Sequence, residues 1–255
     1  MTASARVAIV TGASRGIGRA IAQRLAQDGY RLVVVARSGD VLDELVASLP
    51  TDAVSCALDL READAAQKAV DHAIESFARL DAVVNNAGAT PRGDFLGFGD
   101  DDWNDGFALK FFGAVRLCRA AWPHLQEARG GIINIAGIGG RTGNAAFTIG
   151  GSVNAALLNL TKALADRGVQ DGVRVNAVNP SSIATERTCK RIERLAIEKD
   201  IGVEQAADEL ARELGVARFG TAEEVANVVA FLLSDAAGYM QGAIVDVDGG
   251  QTRTL

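Results

Sequence analysis

The residues with the plainest chemical signature lie near the amino terminus. A short apolar run ends in Thr11-Gly12-Ala13-Ser14-Arg15-Gly16-Ile17-Gly18 and passes directly into an alanine-rich segment. Glycines at a strand-to-helix turn let the backbone fold tightly, and the amides of a helix start attract a phosphate. The spacing G-x-x-x-G-x-G is neither the six-residue dinucleotide fingerprint nor a P-loop, which would close on Gly-Lys-Ser/Thr. Glycines at such a turn can also serve packing alone. The next apolar run ends in Val35-Ala36-Arg37-Ser38, about twenty residues on, where an acid would bond the ribose hydroxyls of NAD. No acid stands there. Arg37, with Arg15 in the turn, offers guanidinium forks suited to a 2′-phosphate, so the residues favour NADP(H) over NAD(H). Two solvated surface arginines would look the same in sequence.

These residues need a scaffold, and the hydropathy pattern supplies one. Short apolar runs at 6–11, 31–36, 53–58, 81–85, 131–136, 173–178 and 243–247 alternate with amphipathic segments near 16–28, 38–48, 61–79, 101–128, 148–168 and 221–234. Such alternation describes βαβ units around a parallel sheet. The expected fold is a single α/β domain over 1–255, doubly wound and Rossmann-like, with a seven-stranded parallel sheet. Residues 186–215, where charges alternate with Ile, Leu and Ala at helical spacing, are expected to form a small helical lid. It would overhang the carboxyl ends of the strands, where ligands bind in such sheets.

Composition narrows the function classes. The 255 residues are 48% hydrophobic and 23% charged, with a formal net charge of −6. That content suits a folded chain with a sizeable core, and the scattered basic residues argue against a nucleic-acid partner. Cys56, Cys118 and Cys189 form no CxxC pair, and His72 and His124 have no ligand-spaced neighbours, so neither a disulfide framework nor a metal site is indicated. No stretch reaches the roughly 18 apolar residues of a membrane helix, and the first residues lack the apolar run of a signal peptide. A soluble, cytoplasmic protein acting on a small molecule is expected.

Several ordered motifs together give the chain a family likeness. Thr11-Gly12-x-x-x-Gly16-x-Gly18, Asp59-Leu60, Asn85-Asn86-Ala87-Gly88, the stretch Arg174-Val175-Asn176-Ala177-Val178-Asn179-Pro180 and the closing Asp246-Val247-Asp248-Gly249-Gly250 resemble those of the short-chain dehydrogenase/reductases, in the branch of the 3-oxoacyl carrier-protein reductases. The resemblance covers essentially the whole chain. It implies cofactor contacts from Gly12, Ser14, Arg15, Gly16, Ile17, Gly18 and Arg37, from Asp59 and Leu60 at the adenine, and from Asn86, Ala87 and Gly88 at its ribose. Pro180, Ile183 and Thr185 would hold the nicotinamide side. Where the family usually has glycine after the proline, this chain has Ser181, which puts the nicotinamide contacts in question.

The same resemblance exposes what is missing. The family protonates the developing alkoxide with a tyrosine. A lysine four residues later assists it, a serine thirteen residues earlier polarises the carbonyl, and an upstream asparagine holds a relay water. Anchoring on Leu160-Thr161-Lys162-Ala163-Leu164-Ala165 places the tyrosine position at Gly150, the lysine position at Asn154 and the serine position at Gly137. Trp103 and Gly113 put Lys110 where the asparagine belongs. The only tyrosines are Tyr30 and Tyr239, and no Tyr-x-x-x-Lys occurs. Candidate replacements are Lys110 as a proton donor, Asn154 as a partner for ribose or water, and Ser152, with Thr148, as a hydroxyl. Each also has an ordinary reading as a solvated or packing residue. Gly150-Gly151 inside an expected helix suggests close backbone approach or room for a ligand.

Trp103, Trp122 and most of the nine phenylalanines read as core or interface, and Asp100-Asp101-Asp102 as a helix start. Arg187, Lys190, Arg191 and Arg194 would suit an anionic substrate such as a carboxylate or a coenzyme A thioester, although a solvated helix face explains them equally well. The function expected is NADP(H)-dependent hydride transfer on a carbonyl or alcohol with a non-standard proton donor. The alternatives are a cofactor-binding protein without turnover, serving as sensor, scaffold or assembly partner, and non-redox chemistry in the same pocket. The resemblance further implies a homo-oligomer, tetramer or dimer, through the helices near 101–128 and 148–168.

Overall fold

A computed structural model describes residues 5–253, and of Arg187 the backbone alone. The expected sheet is present. Its strands are β1 (Val7–Thr11), β2 (Arg31–Ala36), β3 (Ala53–Ala57), β4 (Ala82–Asn85), β5 (Gly131–Ile135), β6 (Arg174–Pro180) and β7 (Ile244–Val247). They lie in the order β3-β2-β1-β4-β5-β6-β7, and each neighbouring pair is parallel. The order reverses between β1 and β4, which creates the crevice at the carboxyl edge where such sheets hold ligands.

The strands' period of two divides the core into two layers. Ala8 and Val10 of β1 face one cluster with Ile21 and Leu25 of α1 (Gly16–Gln27) and with Val225 and Val229 of a later helix. Val7 and Ile9 face the opposite cluster, with Ala69, Val70, Leu117 and Leu125. All five residues of β1 are buried, as a central parallel strand covered on both faces requires.

The remaining helices are α2 (Gly39–Ser48), α3 (Ala65–Phe77), α4 (Asp100–Phe107), α5 (Gly113–Ala128), α6 (Thr148–Asp171), α7 (Glu186–Lys199), α8 (Val203–Glu213) and α9 (Ala222–Leu233). The helix expected over 101–128 runs without interruption from 100 to 128, with a π-helical turn at Ala108–Phe112 between α4 and α5. Gly106 sets α4 close to α6, since a Cβ there would lie 2.5 Å from Ile149 Cγ2. The helix start at Asp100 is as expected, with Asp102 accepting the amide of Gly99 at 3.0 Å. Helices α7 and α8, within the segment expected to be a lid, pack on each other around a small core of Ile192, Ala196, Ala206 and Leu210.

The large aromatic residues expected in core or interface stand mostly outside the core. None of the nine phenylalanines is among the buried core residues, which are mainly aliphatic; Phe77 packs against the core from its edge, and Phe95 and Phe112 are exposed. Trp122 is buried, its indole N–H donating to Asp171 at 2.8 Å, whereas Trp103 is only half-buried. Alanine-rich helices bring the layers close enough that Ile, Leu and Val fill them, leaving little room for rings.

The cysteines test this packing. Burial pushes the Cys118 thiol up to about 12 and raises that of Cys56, while Cys189 is exposed. A neutral thiol reagent at pH 8 is expected to modify one cysteine rapidly in the native protein and all three in denaturant. Rapid native reaction of Cys118 would contradict the packing of α5 on the sheet.

Candidate functional site

At the carboxyl edge β1 and β4 are tied together by one hydroxyl. Thr11 Oγ1 donates to Val84 O at 3.1 Å and accepts the amides of Asn86 and Ala87 at 2.9 and 3.0 Å. The Asn86 side-chain amide donates back to the carbonyls of Thr11 and Gly12. Gly12 and Gly16 hold φ of +65° and +54°, conformations that side chains disfavour. A Cβ at Gly18 would stand 2.2 Å from Gly12 O. The turn is a bare backbone cradle running into the start of α1, which fits a pyrophosphate. Ser14 and Ile17 lie within it, half-buried.

The flanks of the cradle carry charge. Arg37 is exposed at the end of β2, and Arg15 is exposed with its guanidinium 3.7 Å from Glu186 at the start of α7. Asp59 is held by Arg61 at 3.3 Å, and Arg61 also pairs with Asp105 at 2.5 Å. The Arg61 hydrogen bond holds the Asp105 carboxyl below its usual range, and Arg37 adds to that effect. Leu60 is buried beneath.

Across the crevice, β6 ends at Pro180 and the chain runs through Ile183 to Thr185. Gly220 fixes this segment through its contacts with Ser182 O and the amide of Ala184. Thr185 Cγ2 lies 3.5 Å from where a Gly16 Cβ would be, so the segment faces the glycine turn. Ser181 keeps an ordinary negative φ, so no glycine is needed there. The hydroxyls of Ser181 and Ser182 both donate to Gln251 Oε1.

Between these walls stands Lys110. The π turn directs it inward, its stem crossing Gly88, where a Cβ would lie 2.8 Å from Lys110 Cδ. Its ammonium donates to Asn154 Oδ1 and to Ala136 O, both at 2.6 Å. An ammonium only donates, so the buried Asn154 presents its oxygen to Lys110 and its Nδ2 toward Gly137 and Gly139. Lys110 is therefore half-buried and turned into the crevice, and is not a fully solvated surface residue.

The expected tyrosine and serine positions are shaped differently. Gly137 has φ +136°, and its amide donates to the buried Asn179, which bonds Asp246; Asp246 pairs with Arg141 at 2.7 Å. The space beside Gly150 is filled: a Cβ there would fall 2.1 Å from Phe147 Cζ and 2.6 Å from Thr90 Oγ1. The room suggested by Gly150-Gly151 is taken by the protein's own ring.

Ser152 is corrected. It is exposed on α6, whereas Gly150 and Asn154 face inward. At 100° per residue, a position two away from both lies nearly opposite them. The Thr148 hydroxyl is buried with no hydrogen-bond partner among the described residues. In the basic cluster Lys190 pairs with Glu186 at 2.6 Å, Arg191 and Arg194 are exposed, and the side chain of Arg187 lies outside the described residues. No group of His, Cys, Asp and Glu among the described residues could hold a metal. Sequence reasoning missed the Asn179–Asp246–Arg141 network and the stacking of Arg92 over Phe147, since both join distant segments.

Comparison with known proteins follows this geometry. The family model described as enoyl-(acyl carrier protein) reductase matches residues 12–252. A 3-oxoacyl-[acyl-carrier-protein] reductase of Synechocystis sp. is 36% identical over 98% of both chains. The meso-2,3-butanediol dehydrogenase of Serratia marcescens is 32% identical over 97% of this chain and 94% of its own. The L-sorbose reductase of Gluconobacter frateurii, solved with NADPH and L-sorbose, superposes with a TM-score of 0.94 at 32% identity, covering 99% of this chain and 98% of that one. With a family match over almost its full length and relatives more than 30% identical along nearly the whole chain, the chain belongs to the short-chain dehydrogenase/reductase family.

Proposed function

We propose that the protein is an NADP(H)-dependent oxidoreductase that interconverts a carbonyl and an alcohol in a small molecule, with Lys110 as the proton donor. The observation that carries this reading is the ammonium fixed by Asn154 and Ala136 O at the cradle's edge. Gly12, Gly16, Gly18 and the α1 amides would hold the pyrophosphate. Arg15 and Arg37 would hold the 2′-phosphate, and residues 180–185 the nicotinamide side. The bound cofactor supplies the hydride.

Lys110 and its neighbours supply the rest. The ammonium is anchored by two carbonyl oxygens, so its position at the edge of the cradle is set before substrate arrives. Exchange of one of its contacts for the substrate carbonyl oxygen would stabilise the charge that develops there. The proton passes to that oxygen as the alcohol forms, and the amine regains one from solvent. Phe147, filling the space beside Gly150, and the lid over the crevice would exclude water. In the reverse direction Lys110 enters as the amine and receives the alcohol's proton.

A specific observation favours a second reading, a cofactor-binding protein without turnover. Two of the ammonium's donors are already directed at protein carbonyls. The two readings part on hydride transfer, which only the first allows. The proposal also includes a cytoplasmic location and a homo-oligomer, supported by exposed apolar residues, Phe112 on the π turn before α5 and Val169 on α6. Sedimentation as a clean monomer at micromolar concentration would contradict the assembly.

Three outcomes are expected. By calorimetry NADPH binds more tightly than NADH, and Arg37→Ala removes about 10- to 100-fold of that preference, the worth of a charged hydrogen bond. In a panel of carbonyl compounds followed by NADPH oxidation, Lys110→Met lowers kcat by about 100-fold or more while NADPH affinity changes less than about twofold. Turnover undiminished in Lys110→Met would overturn the assignment. Gly150→Ala costs about 1–3 kcal/mol in urea unfolding because it meets the Phe147 ring, and much less in a Phe147→Ala background.

A further inference from the structure

The loop after β4 sets a hydroxyl into the crevice that none of the motifs contains. Thr90 stands against the first turn of α6: its Oγ1 lies 2.6 Å from where a Gly150 Cβ would be, beside the edge of the Phe147 ring. Its methyl group faces α4, 3.5 Å from where a Gly106 Cβ would be. Thr90 is β-branched and precedes Pro91, so its backbone is held extended and its χ1 is confined to few rotamers. The loop is also clamped to the segment before α6 through the amide of Gly93, which donates to Ala146 O at 3.1 Å. The hydroxyl is therefore held in place from three sides.

Two helices fix where it stands relative to Lys110. Gly106 precedes Lys110 by four residues along the helix that runs into the π turn. Gly150 likewise precedes Asn154 by four residues on the inward face of α6, and Asn154 accepts from the Lys110 ammonium. Four residues are about one turn, a rise of roughly 6 Å. Thr90 Oγ1 is thus displaced from the ammonium by about one turn along both helices, on one continuous wall. Thr90 is half-buried, and its side chain makes no hydrogen bond to another described residue. A hydroxyl both donates and accepts, so it can serve a carbonyl or another hydroxyl. Two polar groups one turn apart, each reaching a ligand oxygen at about 2.8 Å, bracket oxygens carried on adjacent or next-to-adjacent carbons.

We infer that Thr90 is a specificity-determining residue that hydrogen-bonds a second oxygen of the substrate, so that the preferred substrates carry a hydroxyl or a further carbonyl one or two carbons from the carbonyl that reaches Lys110. The inference rests on Lys110 marking the carbonyl site and adds the substrate class to that reading.

The test is a ligand-observed NMR titration of the protein, with and without NADP+. The ligands are ketones of four to eight carbons, each paired with analogues that bear a hydroxyl or a second carbonyl one or two carbons from the first. NADPH oxidation with the same compounds is followed in parallel. At least one dioxygenated compound is expected to bind about five-fold or more tightly than its parent ketone, the worth of one neutral hydrogen bond. Thr90→Val, which keeps the shape and removes the hydroxyl, should bring the pair to within about twofold by weakening the dioxygenated compound. Thr90→Ser should retain most of the preference, a rescue that a purely packing role would not give. Absence of the preference across the whole panel, its survival in Thr90→Val, or equal weakening of both members of each pair would overturn the inference. A Thr90-dependent preference in binding without any NADPH oxidation would instead overturn the oxidoreductase reading and leave the Thr90 subsite standing.

Discussion

A Cβ at Gly18 would lie 2.2 Å from Gly12 O, one at Gly88 2.8 Å from Lys110 Cδ, and one at Gly150 2.1 Å from Phe147 Cζ. These three contacts share one cause, close approach at the carboxyl edge of the sheet, and each admits a different functional part. The first shapes a backbone cradle. The second lets a lysine stem cross the turn after β4 and deliver its ammonium to Asn154. The third lets a phenylalanine ring replace a side chain at the start of α6. Side chains at these positions would displace neighbours that are backbone or well seated, so the site depends on their absence.

The Lys110–Asn154 contact joins two elements that are far apart in sequence. The π turn at Ala108–Phe112 carries Lys110, and the buried face of α6 carries Asn154. π-helical turns are rare and often mark functional positions. With Ala136 O at the end of β5 as second acceptor, the ammonium is anchored to strand and helix together. Losing either partner would leave the other's buried polar group unmatched, a cost that supports a fixed geometry.

Much of this was legible in the sequence. The seven apolar runs became the seven strands because a parallel sheet, covered on both faces, needs mostly apolar segments of that length. The glycine cradle was legible because its backbone demands are local. The π turn inside the 101–128 helix was not, since a helical hydropathy pattern does not mark where one extra residue enters the turn. Ser152 could have been rejected by helical period alone. Phe147 and Arg92 could not have been found, because their meaning arises only when the loop after β4 reaches the start of α6. The phenylalanines' absence from the core was hidden for a related reason: apolar spacing tells which face is inward, and the small side chains between the layers decide whether a ring fits.

The central claim is that an ammonium, whichever element carries it, does the work at this edge. Its most direct test exchanges the two side chains: NADPH oxidation is followed in Lys110→Asn and in the double variant Lys110→Asn/Asn154→Lys. The account predicts that the single variant loses turnover and that the double variant recovers a measurable part of it, with unchanged NADPH affinity in both. Full turnover in Lys110→Asn would contradict it.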